Sequence, residues 1–199
     1  ETDEDVAAIA ELVNKIVYCW RQSATNKKRR LSINLATAFF VPKPFTPFQW
    51  EKQTSPEEYL RRVHLLQSCL TARGVDYRYH ESDLSRLEAV LARGDRRLSK
   101  VLLRAHELGC KLDGWDEYFR YDLWMQAFSD CGVDPEFYTT RGFAEDEILP
   151  WQTIDIGVSR DFFLRERALA YESVTTPDCR TKCAGCGARS LSERGVCDE

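Results

Sequence analysis

Cys179, Cys183 and Cys186 form a CxxxCxxC triplet near the end of the sequence, and Cys197 follows it. Thiolates at such spacings, on a loop containing Gly185 and Gly187, can converge on one soft metal centre. Zinc held by four sulfurs, an iron–sulfur cluster and unligated thiols are all compatible with the pattern. These four of the eight cysteines crowd the last 21 residues, whereas Cys19, Cys69, Cys110 and Cys131 are scattered as small buried hydrophobes tend to be. With no signal-peptide layout and no apolar span of membrane length, the chain reads as soluble and cytoplasmic, where clustered cysteines point to metal before disulfides.

A second candidate is the run LSINLATAFFVPKPFTPFQW, Leu31 to Trp50. Its first half is strand-like. Pro42, Pro44 and Pro47 then force the chain out in an extended, aromatic-rich turn, since proline lacks an N–H and disfavours helix in the residue before it. Ligands of α/β folds gather at the carboxyl ends of strands, so this exit loop is a candidate site, with an ordinary buried strand and exit loop as the alternative. Arg93-Gly94-Asp95-Arg96-Arg97 can present guanidiniums to an anion or simply form a solvated helix junction. Lys27-Lys28-Arg29-Arg30 reads as a solvated loop with phosphate contact as its alternative. His64, His80 and His106 match no catalytic pattern; His80, at a strand end, is the one to test.

The elements that position these residues follow from periodicity and caps. Thr2 and Asp5 open a helix whose apolar stripe runs from Val6 to Trp20. Ser55-Pro56-Glu57-Glu58 starts another, ending at Gly74, and Val75 to Tyr79 alternates as a strand. Two strands joined by a helix-length connection make a parallel βαβ unit. From Leu84 onward the pattern is helical: to Leu91, from Leu98 to Leu108 with Gly109 closing it, an aromatic helix over Trp115 to Phe128, and a last helix from Arg160 to about Tyr171, capped by Ser159. The 199 residues, with 43% hydrophobic residues and a net charge of −4, suffice for a sizeable core and argue against a general nucleic-acid binder.

Several blocks, in order, carry a family resemblance: ETDEDVAAIAELV, FVPKPFTPFQW, LEAVLARGDRRLSKVL, GWDEYFRYDLWMQAF, LPWQTIDIGVSRDFFLRE and TTPDCR with CAGCG. Together they resemble the C-terminal half of the radical SAM proteins that carry a cobalamin-binding domain ahead of the barrel. The resemblance implies an α/β fold, the C-terminal part of a partial (β/α) TIM-like barrel followed by a helical extension and a Cys-rich tail. It divides the chain into barrel, 1–92, helical extension, 93–174, and tail, 175–199. It implies radical chemistry dependent on an iron–sulfur cluster and S-adenosylmethionine, with cobalamin in the full-length protein. The cobalamin domain and the cluster-binding strand would belong to a missing N-terminal half, this chain's partner, so the chain alone would be inactive.

By the same resemblance Phe40, Val41 and Lys43 would lie near the nucleoside of S-adenosylmethionine or near substrate, and Glu1 and Thr2 would end a loop bordering that site. Cys179, Cys183, Cys186 and Cys197 would be metal ligands, holding zinc or a second iron–sulfur cluster. The tail departs from the family, in which another cysteine closely follows the pair; here Ala188 and Arg189 stand there. Its triplet follows a helix instead of a first barrel strand, so the reduction of S-adenosylmethionine is not assigned to it. The substrate, whether small molecule, protein or RNA, is not written in these residues. The competing reading is a non-catalytic metal-binding module whose aromatic helix and cysteine tail dock a protein or RNA, with no membrane involved.

Overall fold

The computed structural model describes residues 1–26 and 29–188. Lys27, Lys28 and Cys197 therefore lie outside the described residues. The chain forms two compact units, one made of Glu1–Phe40 and Thr54–Leu87, the other of Val41–Gln53 and the residues from Glu88 on.

In unit 1, α1 (Asp3–Ser23) leads into β1 (Ile33–Thr37), α2 (Pro56–Cys69) and β2 (Val75–Tyr79). The strands pair in parallel, Ile33 opposite Val75 through Thr37 opposite Tyr79. Both helices are fixed by their caps: Thr2 and Asp5 form a reciprocal capping box, and Ser55 accepts from Glu58 N–H ahead of Pro56. Val6, Ala10 and Leu66 from the helices pack with Leu35 and Tyr77, so α1 and α2 cover one face of the sheet. Gly74 does not end α2, which stops at Cys69. Its φ of 86° turns the chain into β2, and a Cβ there would stand 2.6 Å from the Leu31 carbonyl oxygen.

The expected partial barrel is not present. Among the described residues there are two strands in one small parallel sheet, against six α-helices. The βαβ reading was local and correct, but two strands cannot curl into a barrel, which needs about eight. After Tyr79 the described elements are all helical, and the one alternating stretch, Ile154-Asp155-Ile156-Gly157-Val158, does not form a strand.

The division between the units falls within α3 (Ser82–Arg93). Unit 2 continues with α4 (Leu98–Leu108), α5 (Tyr121–Asp130), a 3-10 turn at Pro135–Phe137 and α6 (Arg160–Tyr171). One of its cores gathers Trp50, Phe143, Leu149, Trp151 and Phe163. The Arg93-to-Arg97 junction is structural. Arg93 is fully buried, donates through Nη1 to the Glu51 carbonyl at 2.7 Å, and stacks 4.6 Å over Phe143. Arg141 lies 4.8 Å from the same ring and 4.1 Å from Phe137, over which Arg97 also sits at 4.7 Å. The result is a ladder of alternating guanidinium and ring. Asp95 holds Arg97 at 2.7 Å and accepts from the Tyr138 hydroxyl at 3.1 Å.

Candidate functional site

At the carboxyl end of the sheet in unit 1, Thr37 Oγ1 and the Tyr77 hydroxyl share a hydrogen bond of 2.8 Å, and His80 N–H donates to the Thr37 carbonyl at 3.2 Å. Phe39 stacks on Tyr59, ring centroids 4.3 Å apart and planes within 8°. The Tyr59 hydroxyl donates to the His80 carbonyl at 2.9 Å. Burial, followed by the neighbouring Tyr77 and Tyr79, pushes that hydroxyl up to about 12, so it remains a protonated donor and is no candidate base at neutral pH. Phe40, the next residue along from this stack, is half exposed.

Glu1 and Thr2 reach the same end of unit 1 through the N-terminal turns of α1 and α2. Arg62 lies 3.4 Å from the Glu1 carboxylate and donates to the Glu1 carbonyl at 3.2 Å. Arg61 bridges Asp3 and Glu58, each at 2.7 Å. Thr2 uses its hydroxyl oxygen to cap α1, accepting from Asp5 N–H at 3.2 Å. Of the residues expected near the nucleoside or substrate, Phe40 belongs to unit 1, as do Glu1 and Thr2 of the bordering loop, whereas Val41 and Lys43 belong to unit 2. There the Lys43 ammonium pairs with Glu88 at 2.8 Å, both side chains well exposed.

The cysteine loop of unit 2 is tied to α6. Ser159 N–H donates to the Cys186 carbonyl at 2.8 Å, Arg165 donates to the Ala184 carbonyl, and Thr176 donates to Glu166. Gly187, with φ 96°, sits so close to the Gly157 carbonyl that a Cβ would stand 2.8 Å from it. Gly185 N–H donates to Cys183 Sγ at 3.4 Å. Cys179 and Cys183 are exposed and Cys186 is half-buried, and none is in a disulfide. Yet among the described residues no three His, Cys, Asp or Glu side chains are placed to hold a metal ion. The donor chemistry suits a thiophilic ion, but the three thiols are not assembled as a ligand set.

Sequence reasoning did not find a cavity of about 240 Å³ in unit 2, between the proline-rich turn and the segment Leu149–Arg160. Phe45, Trp50, Trp151 and Phe163 form its aromatic wall, with Gln152, Asp155 and Arg160 among its polar lining. Gln49 Oε1 accepts from Trp151 Nε1 at 2.7 Å and from Phe45 N–H at 3.3 Å. The signal was the pairing of FTPFQW with LPWQ, two aromatic, proline-broken stretches a hundred residues apart. Nothing in either stretch alone says that they meet.

A search of curated proteins finds the "Uncharacterized protein MJ0966" of Methanocaldococcus jannaschii, 24% identical over 133 residues. The match covers 67% of this chain and 27% of that protein, so the chain spans about a quarter of the relative's length. No protein-family model matches the chain, and no solved structure does. Over two thirds of its length, then, the chain is similar to one stretch of a longer archaeal protein.

Proposed function

We propose that this chain is the C-terminal module of a longer, cytoplasmic radical SAM enzyme, and that it does not cleave S-adenosylmethionine by itself. The radical chemistry is what the sequence resemblance implies; the observation that supports a module of a longer protein is the half-covered sheet of unit 1. Parallel sheets are ordinarily buried on both faces and built of more than two strands. Here α1 and α2 cover one face, while Asn34, Ala36, Asp76 and Arg78 on the other are exposed. Among the described residues neither strand pairs with a third. On α1, Leu12 and Ile16 add an exposed apolar stripe one turn apart. A module with an open sheet face, open edges and an unpartnered apolar stripe is suited to completion by other polypeptide of the same protein.

In the completed enzyme the cluster and S-adenosylmethionine supply the radical chemistry. Unit 1 offers no thiolate set for the cluster, since Cys19 and Cys69 stand singly on α1 and α2, so the ligands come from elsewhere in the longer protein. This chain's part is to border the site: Phe40 presents a half-exposed ring three residues beyond β1, and the Glu1–Arg62 contact holds the N-terminal residues beside α2.

The test is anaerobic reconstitution with iron, sulfide, reductant and S-adenosylmethionine, assayed for 5′-deoxyadenosine. This chain alone is expected to form none, and the longer protein to form it; turnover by the chain alone, or silence from the reconstituted longer protein, overturns the reading.

A second reading, a non-catalytic metal-binding module, is favoured by the Gly185 N–H to Cys183 Sγ bond and by the anchoring of the loop on α6. On this reading Cys179, Cys183 and Cys186, with Cys197, close on zinc or a cluster. Colourless protein containing zinc marks the first and brown protein with sulfide the second. Metal content unchanged in Cys183→Ser and Cys186→Ser removes the idea.

A further inference from the structure

Unit 1 carries its charge unevenly. Toward the carboxyl end of its sheet the arginines are paired, Arg61 with Asp3 and Glu58, Arg62 with Glu1 and Glu58. At the amino end they are not. A cleft of about 350 Å³ opens there between α1 and the turn that follows α2, lined by Asn14, Tyr18 and Arg21 on one side and by Thr71 and Arg73 on the other. We infer that this cleft binds the phosphate backbone of a single-stranded nucleic acid.

Three observations select that class. First, the guanidiniums of the cleft are uncompensated. Asn14, Tyr18 and Arg21 share one face of α1, at i, i+4 and i+7, and Arg73 reaches the same cleft from a different element. Among the described residues neither arginine side chain has an ion pair or a hydrogen bond, and no Asp or Glu lines the cleft. Glu11, one turn before Asn14 on α1, is not part of the lining, and Asp76 is engaged with Arg78 at 2.9 Å. Arg21 stands in the last turn of α1, where a cation suits the helix dipole, but that accounts for one charge and not for the second. Two like charges on one cleft repel, so an anion entering between them gains from both. Second, the positive charge is extended. The sequence from Leu12 to Arg30 contains no acid, and neither does that from Tyr59 to Val75. Arg29 and Arg30, both exposed, lie on the segment entering β1, where Ile33 N–H donates to the carbonyl of Gly74, the neighbour of Arg73. A lone carboxylate or phosphate ion has no use for such a row, whereas the successive phosphates of a strand meet it one by one. Third, the rest of the lining suits phosphate esters. Thr, Asn and Tyr, with Arg, are among the side chains that bond phosphate and sugar oxygens in nucleic-acid complexes. Tyr18 is 63% exposed, which leaves its ring open for a base to stack on. With a net charge of −4 over the whole chain, the contact is local to this end and not the property of a generally basic protein.

The cleft lies at the amino end of the sheet, opposite the end assigned to S-adenosylmethionine, so nucleic-acid binding and radical chemistry can fail separately. The experiment is fluorescence anisotropy of a short labelled single-stranded RNA, and of the matching DNA, titrated with the full chain at several salt concentrations. Saturable binding is expected, with a Kd below about 100 μM at physiological salt. Arg21→Gln and Arg73→Gln, both at exposed positions, should each weaken binding about tenfold and lower the slope of log K against log salt by about 0.7. Arg104→Gln, which removes a paired arginine of unit 2, controls for total charge and should change neither. Preference for RNA or for DNA identifies the strand, and either supports the proposal. No saturation with either strand, undiminished affinity and slope in both arginine variants, or equally effective competition by inorganic phosphate, poly-glutamate or phosphatidylserine vesicles overturns it.

Discussion

Arg93 shows how one arginine of a charged motif can turn into a core. Burial, then the nearby charge of Arg141, lowers its guanidinium to about 10, so it remains a cation at neutral pH. Its Nε and Nη2 find no acceptor. A buried, half-satisfied charge contributes little net stability beyond its packing, whereas removing its bulk leaves a void. Arg93→Met, which keeps the stem and discards the orphaned donors, is therefore expected to unfold in urea within about 1.5 kcal/mol of the parent, and Arg93→Ala to lose about 3 kcal/mol or more. Equal losses in the two variants would mean that the guanidinium itself matters. The adjacent glycine is needed for space: a Cβ on Gly94 would stand 1.9 Å from Leu98 Cδ1 and 2.9 Å from the Val90 carbonyl oxygen. Gly94→Ala should cost about 1–3 kcal/mol in the same urea experiment. From sequence, the motif's place at a helix junction was legible. That its first arginine turns inward was not, because the partner Phe143 comes fifty residues later.

At the scale of elements, caps were the most readable feature and unbroken aromatic runs the least. Ser159 accepts from Phe162 N–H at 3.2 Å and opens α6 at the expected residue; Ser159→Ala should lower stability by about 1 kcal/mol, measured as the thermal midpoint. Gly109, with φ 103°, closes α4 as expected. The stretch from Trp115 was read as helix, but α5 begins only at Tyr121. Trp115 to Phe119 form turns bonded back to Leu112, Trp115 and Asp116 instead. Ring density gives no period, and Leu112 at φ 60° followed by Asp113-Gly114 starts a turn that does not pass directly into helix. Between α1 and α2, hydrogen bonds from Arg61 and then Arg62 hold Glu58 at about 2, against its ordinary 4.5. A depressed carboxyl stabilises the fold above its ordinary value and ceases to do so as pH falls toward its folded value. The thermal midpoint should decline from about pH 4.5 downward, and Glu58→Gln should show a shallower decline over that window. Parallel pH curves would show that Asp3, Asp5 and other lowered carboxylates carry the effect.

For the whole molecule, the βαβ unit was legible but its extrapolation to a barrel fails, because no strand forms among the described residues beyond Tyr79. The candidate site divides the same way. The exit from a strand was legible from the prolines, although β1 stops at Thr37, three residues before the Phe40 that the reading placed at its end, while the cavity needed two stretches to be brought together in three dimensions. If unit 1 is completed by more of a longer protein, the backbone amides of Asn34, Ala36, Tyr77 and Tyr79, which point away from the β1–β2 ladder, should exchange with deuterium at least about tenfold faster in this chain than in that protein. Equal rates would show that the small sheet is already whole.

The discontinuity of the units bears on how the chain is made. Residues 41–53 leave unit 1 and belong to unit 2, where Trp50 packs with Leu149, Trp151 and Phe163. On the ribosome, unit 1 has all its residues once Leu87 has emerged, but Trp50 waits until Phe163 is synthesised, on the order of ten seconds later at ordinary elongation rates. For that interval a proline-stiffened, aromatic loop has none of its partners from 149–163 to pack against. The prolines that shape the cavity wall thus also keep a temporarily uncovered apolar segment from pairing as a strand with its neighbours during synthesis.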